Sequence, residues 1–202
     1  MKSKIDLNIV KNFKAAFVAG LLIGFGVIIN ITITNPIIGA LFFSFGLLVI
    51  IAMKLSLYTG KVGFWQNPTS FPIMLGANLA GALCTIGCYV ITKPEFVTTL
   101  IEISKVKFEK TALQMLFCGV LCGALIHFAV KVKEVPVTVL SIAIFILIGA
   151  EHCIADFPFL VVNFSLINLF KWIMVIIGNS VGARCIELLV KENKNEICTN
   201  HS

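Results

Sequence analysis

Charged side chains are scarce in this chain, and their scarcity excludes an ordinary soluble domain. Asp, Glu, Lys and Arg make up 13% of the 202 residues, and hydrophobic residues make up 58%. Soluble domains carry about 25% charged residues and about half apolar ones. Apolar runs of about 20 residues recur along the chain, and each is long enough to cross a bilayer core about 30 Å thick. The composition therefore predicts an all-α membrane protein that crosses the lipid bilayer several times.

The sequence also lacks the motifs of several other functions. Its seven cysteines form no paired CxxC clusters and no metal-ligand spacing occurs, so we expect no metal and no other cofactor. A channel of aquaporin type would carry Asn-Pro-Ala motifs, but neither Asn35-Pro36 nor Asn67-Pro68 is followed by alanine. The N-terminus has no cleavage site of a secretory signal peptide. We interpret the net charge of +6 as a topology signal and expect no nucleic-acid partner.

Six apolar spans lie within what we expect to be one transmembrane channel domain, residues 1–202. The spans cover about residues 15–33, 35–53, 71–91, 112–130, 136–158 and 166–190. A basic interfacial segment (1–14) precedes them and a polar tail (191–202) follows. With the N-terminus inside, the inner links hold ten Lys and Arg residues and the outer links five. The positive-inside rule therefore predicts that both termini lie in the cytoplasm and that the protein is in the cell membrane.

The fifth span contains a break with ionisable residues. The predicted helix stops at Glu151 and His152 and restarts at Pro158, which fits a first helical turn, with Asp156 before it as a cap. Within a membrane, broken backbone and ionisable groups persist only against protein or a water-filled path. The stretch therefore predicts a functional site. We interpret Glu151 as structural, with its carboxylate accepting backbone N–H groups.

The two halves of the chain share four features in the same order. These features are Gly20 and Gly24 with Gly119 and Gly123, Pro36 with Pro136, the break at 57–60 with that at 152–156, and residues 76–81 with 178–182. Because each half has three spans, the halves must be inserted in opposite orientations, as in many channels and transporters. The predicted fold is six transmembrane helices in two inverted three-helix repeats, with the second and fifth helices broken.

Both breaks carry a family resemblance. Glu151-His-Cys-Ile-Ala-Asp156 resembles the Glu-His-Ser-Ile-Ala-Asn motif of the formate/nitrite transporter family, and Leu57-Tyr-Thr-Gly60 resembles its Leu-Phe-Thr-Ser/Gly loop. Phe43-Ser-Phe-Gly-Leu47 lies upstream of Thr59 as in that family, and Phe145 lies seven residues before His152. The resemblance covers about residues 12–190. It implies an aquaporin-like protomer that assembles as a homo-pentamer, with one pore in each protomer.

The resemblance also implies roles for individual residues. Thr59 would hold the permeant opposite His152. The expected lining residues are Leu47, Leu57 and Tyr58 at the cytoplasmic slit and Phe43 and Phe145 at the outer slit. The expected structural residues near the pore are Glu151, Asp156, Asn78 and Asn179.

The mechanism expected from these residues is proton donation to a small anion. An isolated charge at the centre of a pore is costly, and a histidine there could supply a proton or a charge-assisted hydrogen bond. We therefore expect a channel or transporter, with no enzymatic activity, for small monovalent weak-acid anions such as formate, nitrite, hydrosulfide or acetate. Lys54 would concentrate anions at a mouth, or would simply extend to the interface. A neutral-solute channel of aquaporin type and a membrane-embedded enzyme remain alternatives.

Four departures from the family pattern bear on specificity. Lys54 and Ser56 occupy a region that is usually acidic, Tyr58 replaces phenylalanine, and Asp156 replaces asparagine. Gly123 lies where some formate channels have asparagine. These changes argue against transferring formate specificity, and they leave hydrosulfide, nitrite, acetate and lactate open.

Overall fold

The computed structural model describes residues 4–199, and it describes side-chain surroundings for residues 12–191. Within residues 4–199 the chain forms nine α-helices, two 3₁₀ turns (Val62–Phe64 and Pro68–Ser70) and no strand. The helices are α1 (Lys4–Thr32), α2 (Pro36–Ala52), α3 (Tyr58–Lys61), α4 (Phe71–Thr92), α5 (Phe96–Lys107), α6 (Ala112–Val132), α7 (Val135–Leu147), α8 (Phe157–Val162) and α9 (Leu166–Thr199). Of the predicted terminal segments 1–14 and 191–202, residues 1–3 and 200–202 lie outside the described residues.

Four helical stretches are long and apolar enough to cross a membrane. They are Asn12–Thr32, Pro68–Thr92, Ala112–Val132 and Leu166–Lys191. The apolar helices α2 and α7 have only 17 and 13 residues. At 1.5 Å per residue they are about 25 and 20 Å long, which is less than the bilayer core. Each is followed by a short helix, α3 or α8.

The short helices begin as local sequence rules require. Asn35 caps α2, since its side-chain oxygen accepts the N–H groups of Ile37 and Ile38 at 3.0 and 3.1 Å. A proline in the first turn of α2, of α7 and of α8 removes an N–H that would have no partner in the helix. Asp156 occupies the cap position of α8, but its side chain makes no capping hydrogen bond.

The connection of residues 93–111, expected as a polar link, contains helix α5. Phe96, Leu100 and Ser104 are buried on one face of this helix, and Ser104 Oγ donates to the carbonyl oxygen of Phe159 at 2.8 Å. Basic residues cluster in the last turn of α5, where they complement the helix dipole. The helix thereby holds Lys107 beside the break between α7 and α8.

Two pairs of long helices, α1 with α4 and α6 with α9, approach so closely that backbone touches backbone. A Cβ atom at Gly20 would collide with the backbone of Asn78, and one at Gly123 would collide with that of Asn179. Small residues allow this approach in membrane helices. By these contacts, Gly20 in the first half of the chain corresponds to Gly123 in the second half. The sequence analysis had paired Gly20 with Gly119, which lies one helical turn away. Glycines four residues apart share a helix face, so the sequence pattern cannot fix the register.

The two broken helices end in the same way. α2 ends before Lys54 with φ 55°, and α7 ends before Gly149 with φ 70°, so both residues are in the left-handed region. The next residue donates its N–H back five positions, from Leu55 to Ile50 and from Ala150 to Phe145, each at 2.9 Å. This is the Schellman pattern of helix termination. It turns the chain out of the helix and into each break.

Candidate functional site

Asn179 of α9 holds the break after α7. Its side chain donates to the carbonyl oxygens of Glu151 and Gly119 and accepts the N–H of Cys153, each at 2.9 Å. The residue is 0% exposed. Backbone groups outside a helix need partners where water is scarce, and this one amide supplies them. The peptide segment that carries His152 is therefore fixed on both sides of the imidazole.

Asn78 of α4 makes an equivalent set of bonds to the other break. It donates to the carbonyl oxygens of Ser56 at 3.0 Å and Ala16 at 2.7 Å, and it accepts the N–H of Tyr58 at 2.8 Å. Leu57 lies between the two bonded peptide groups, as His152 does in the second break. The expectation that Asn78 and Asn179 are structural residues thus acquires a geometry, in which each amide braces one break.

His152 and Thr59 meet where the breaks face each other. His152 Nε2 lies 2.9 Å from Thr59 Oγ1, and the two residues are 2% and 0% exposed. The Ala155 N–H points at His152 Nδ1 at 3.2 Å. When Nδ1 accepts this bond in the neutral ring, Nε2 carries the proton and donates it to the Thr59 hydroxyl. The structure therefore brings together the two side chains for which the family resemblance implied facing positions.

Phe43 of α2 and Phe145 of α7 form an apolar pair beside the imidazole. Their ring centroids are 5.9 Å apart with an interplanar angle of 89°, and the Phe145 and His152 rings stack at 6.2 Å and 28°. Edge-to-face aromatic packing of this kind is favourable. Both phenylalanines also line the cavity that leads to His152.

One cavity is lined by His152, and a second is lined by Leu57 and Gly60, which are close to Thr59 in the chain. The histidine cavity, about 310 Å³, is lined by His152, the phenylalanine pair and the charged residues around Glu151. The lysine cavity, about 360 Å³, is lined by Leu57, Lys54, Lys61 and Lys133 among others. No acidic side chain is among the residues that line the lysine cavity in the described part of the chain.

The residues expected at the cytoplasmic slit divide into two groups. Leu57 lines the lysine cavity, whereas Leu47 and Tyr58 are buried and line neither of these two cavities. The Tyr58 hydroxyl lies 2.8 Å from Ser180 Oγ, and its ring packs edge-on against Phe71. The slit role of Leu47 and Tyr58 therefore stays a prediction.

The Glu151 carboxylate was expected to accept backbone N–H groups, but in the structure it does not. It pairs with the ammonium groups of Lys107 and Lys110, the latter at 2.7 Å. The side chain is 1% exposed, and a buried carboxylate is tolerated when charged partners compensate it. The expectation was wrong because Asn179 already satisfies the backbone of the break, which leaves the carboxylate free to pair with lysines.

Asp156 also differs from its expected role as a helix cap. Its Oδ1 accepts from Lys107 Nζ at 3.0 Å, and its Oδ2 is buried without a hydrogen-bond partner in the described structure. Burial alone would lower the pKa of the Lys107 ammonium, but the carboxylates of Asp156 and Glu151 raise this pKa above its ordinary value. Lys107 therefore stays charged and holds both carboxyl groups in the histidine cavity.

Sequence reasoning missed the lysines of both cavities except Lys54. Lys107 and Lys110 lie more than 40 residues from Glu151, in a stretch without a distinctive motif. Only the helical spacing of the apolar residues Phe96 and Leu100 could have indicated that residues 93–111 pack against the core. Lys61 and Lys133 lie at span ends, where lysine is common.

His127 lies outside the site. Its Nε2 is 2.9 Å from Glu187 Oε2, and Lys131 Nζ lies 2.6 Å from the same oxygen. The cluster joins α6 to α9, and neither His127 nor Glu187 lines the histidine cavity or the lysine cavity. Residues 12–191 hold no group of three or more His, Cys, Asp or Glu side chains that could bind a metal ion.

Solved channels share this fold. A structure described as a pentameric formate channel with formate bound aligns with a TM-score of 0.78 and 21% identity, covering 97% of this chain and 100% of that chain. An FNT family ion channel aligns with a TM-score of 0.81 and 18% identity, covering 94% and 92%. At these identities the likeness establishes the fold, which is that of a multi-pass membrane channel.

The sequence itself assigns the family. The sequence profile described as formate/nitrite transporter matches residues 1–191, so the chain belongs to the formate/nitrite transporter family. A comparison with curated proteins gives no match. The family membership predicted from the motifs at Glu151–Asp156 and Leu57–Gly60 is confirmed. The prediction of a helical membrane protein is confirmed as well.

Proposed function

We propose that this chain is a channel for small monovalent weak-acid anions, with His152 donating a proton to the permeant. Formate, nitrite, hydrosulfide and acetate belong to this class. The observation that carries the proposal is the buried 2.9 Å contact between His152 Nε2 and Thr59 Oγ1. Family membership supports transport rather than catalysis. The solved formate channel of the same fold supports a small anion.

The protonation chemistry follows from the tautomer. The Nε2 proton points at Thr59, so an anion that reaches this contact meets an N–H donor and a hydroxyl. In this neutral tautomer the N–H only donates a hydrogen bond. Once the ring has taken up a second proton from water, transfer of the Nε2 proton to the anion leaves a neutral imidazole and produces a neutral acid, which crosses an apolar constriction at a much smaller desolvation cost than an ion. The edge-to-face pair of Phe43 and Phe145 provides such a constriction. Thr59 holds the permeant while the proton moves.

The lysine cavity would concentrate anions before they reach the centre. Lys54, Lys61 and Lys133 line it without an acidic neighbour on its described walls. A cleft lined by one sign of charge raises the local concentration of the opposite ion, and added salt weakens the effect. By the positive-inside count this is the cytoplasmic mouth, with both termini on that side of the cell membrane.

We infer that the chain crosses the membrane six times, as two inverted repeats. The crossings are α1, α2 with α3, α4, α6, α7 with α8, and α9. Three pairs of features support the repeat: the braces Asn78 and Asn179, the left-handed residues Lys54 and Gly149, and the close α1–α4 and α6–α9 contacts. The whole chain forms one such unit.

A homo-pentamer is the assembly that we propose. The formate channel with a TM-score of 0.78 is described as pentameric, and this chain covers all of it. Bulky apolar side chains are exposed along several helices of the isolated protomer, including Phe42, Phe45 and Phe117. Lipid and neighbouring protomers would cover them. Native mass spectrometry in detergent is expected to report five chains, and a stable monomer would contradict the assembly.

Flux measurements test the function. Proteoliposomes that contain the protein should take up small weak acids across a range of pH without forming new products. His152→Phe keeps an aromatic ring at this position but removes the proton donor, so proton-linked flux should fall to the level of empty liposomes. Wild-type rates in this variant would contradict the role of His152.

A matched variant controls for the loss of a buried histidine. His127→Phe removes an imidazole that is buried as well, with 0% exposure, but lies in the cluster with Glu187. Because His127 is outside the site, its variant should retain flux wherever it assembles. Equal losses in both variants would mean that folding, and not proton donation, explains the His152 result.

A further inference from the structure

The two carboxyl groups of the histidine cavity are not equally compensated. Both oxygens of Glu151 accept from lysines, Oε2 from Lys107 and Oε1 from Lys110. Asp156 shares only Lys107, through Oδ1. Its Oδ2 is buried and has no hydrogen-bond partner in the described structure. Of the two groups, Asp156 is therefore the one with an oxygen available to carry a proton.

The position of Asp156 connects this oxygen to transport. Asp156 and His152 line the same cavity of about 310 Å³, and the Asp156 side chain is 4% exposed. Asp156 also lies directly before α8, at the wall of the cavity and four residues after His152. A permeant in this cavity is therefore exposed to both the aspartate and the imidazole.

The titratable and charged groups around Asp156 come from three parts of the fold. They are Lys107 and Lys110 at the end of α5, Glu151, His152 and Cys153 in the break, and Cys118 and Cys122 of α6. Lys107 favours the carboxylate form of Asp156. The negative charge of Glu151 favours the protonated form. The group lies between these opposing influences, as proton exchange requires.

We propose that Asp156 is a second proton-exchanging residue, which protonates weak-acid anions as they enter the histidine cavity. The O–H bond of the protonated carboxyl breaks, and its proton forms a new bond to the permeant anion. The remaining carboxylate is held by Lys107, and a proton from the external water restores the acid. The neutral permeant then moves to His152 and Thr59, where the neutral imidazole accepts the proton, so that for transport in this direction His152 acts as the acceptor and not as the donor. This inference rests on the proposed function, and it concerns this chain because the asparagine of the family motif could not exchange a proton.

Asp156→Asn is the decisive variant. It keeps the size and the Lys107 contact of the side chain but removes the exchangeable proton. Flux from the histidine-cavity side should be within about twofold of wild type near pH 5, where external protons are abundant. Near pH 8 it should fall about tenfold, which is a modest effect for a lost general acid. Asp156→Glu, which restores a carboxyl, should recover most of the flux at the higher pH.

Glu109→Gln is the matched control. Glu109 is an exposed acid on the same side of the protein that does not line the histidine cavity, so its loss should leave the pH profile unchanged. A wild-type pH profile in Asp156→Asn would overturn the role of Asp156 and leave the proposed function intact. Absence of flux in the wild-type protein would instead overturn the proposed function.

Infrared spectroscopy tests the same inference without relying on flux. A protonated carboxyl gives a C=O stretching band that disappears on ionisation. The wild-type protein should show such a band, which disappears as the pH rises, and the band should shift in Asp156→Glu. If the wild-type protein shows no titrating carboxyl band that Asp156→Asn removes, Asp156 does not exchange protons and the inference fails.

Discussion

The two breaks share a backbone arrangement but differ in side-chain chemistry. In each, an asparagine from a long helix bonds the peptide groups on either side of one central residue. That residue is Leu57 in the first break and His152 in the second. Their preceding neighbours are Ser56 and Glu151. The membrane imposes the same backbone requirement on both breaks, whereas the buried carboxyl and imidazole groups lie only in the second.

This difference shows how one arrangement serves two purposes. The first break contributes the Thr59 hydroxyl to the contact with His152, and it contributes an apolar wall to the lysine cavity. The second contributes the imidazole and the carboxyls that line the histidine cavity. Since the hydroxyl and the imidazole come from different breaks, the site exists only when both are held in place.

The largest expected effect comes from removing a brace. Asn179→Leu would leave the Cys153 N–H and the Glu151 carbonyl without their partner, and each buried unsatisfied group costs about 1–3 kcal/mol. We expect a strong fall in the apparent melting temperature in detergent and loss of flux. Asn78→Leu should destabilise the protein to a similar extent, because it removes the equivalent bonds.

Asn12→Leu controls for the change of residue type, because Asn12 is exposed on α1 and braces neither break. It should melt within a degree or so of wild type, as surface substitutions usually do. If Asn78→Leu were nearly neutral while Asn179→Leu unfolded the protein, the two breaks would not be equivalent and the proposed repeat would lose its main support.

A smaller effect is expected at the contact between the breaks. Thr59→Val keeps the shape of the side chain but leaves the Nε2 proton of His152 without its partner. A hydrogen bond contributes about 0.5–1.5 kcal/mol, so we expect flux to fall about two- to tenfold with the assembly intact. Flux assays on purified protein of unchanged oligomeric mass would measure this.

Thr98→Val is the control, since Thr98 is exposed on α5 and away from both cavities. Its flux should equal that of wild type. Unchanged flux in Thr59→Val as well would show that the hydroxyl takes no part in transport, and the meeting of the two breaks would then be structural only.

Hydropathy predicted the long apolar helices of a membrane protein well. The positions of the breaks were predicted from helix-stop signals, and the facing of Thr59 and His152 was predicted only from the family resemblance. The ion pairs of Glu151 did not follow. They depend on helix α5, whose Lys107 comes within reach only when Ser104 and its neighbours pack against α8. Contacts between residues more than 40 positions apart are tertiary facts that no local pattern contains.

The pairing of Gly20 with Gly119 that the sequence pattern predicted was wrong for a related reason. Gly20, Gly119 and Gly123 all lie on the packed faces of their helices, and a helix repeats its face about every four residues. A shift by one turn therefore leaves the small-residue pattern intact. Only the backbone contacts with Asn78 and Asn179 distinguish the correct match.

The smallest effect compares the residues that end the two broken helices. Gly149 has φ 70° and no atom within 4 Å of an added Cβ, so Gly149→Ala meets only the backbone cost of the left-handed region, about 1–2 kcal/mol. Lys54 has φ 55° with a side chain, so Lys54→Gly should relieve a similar cost, and the melting temperature should shift by a few degrees in opposite directions. Because Lys54 also lines the lysine cavity, its glycine variant should be more stable and yet conduct less. Shifts of the same sign would show that the two helix ends differ in more than their side chains. Unchanged flux would mean that Lys54 serves the helix end alone.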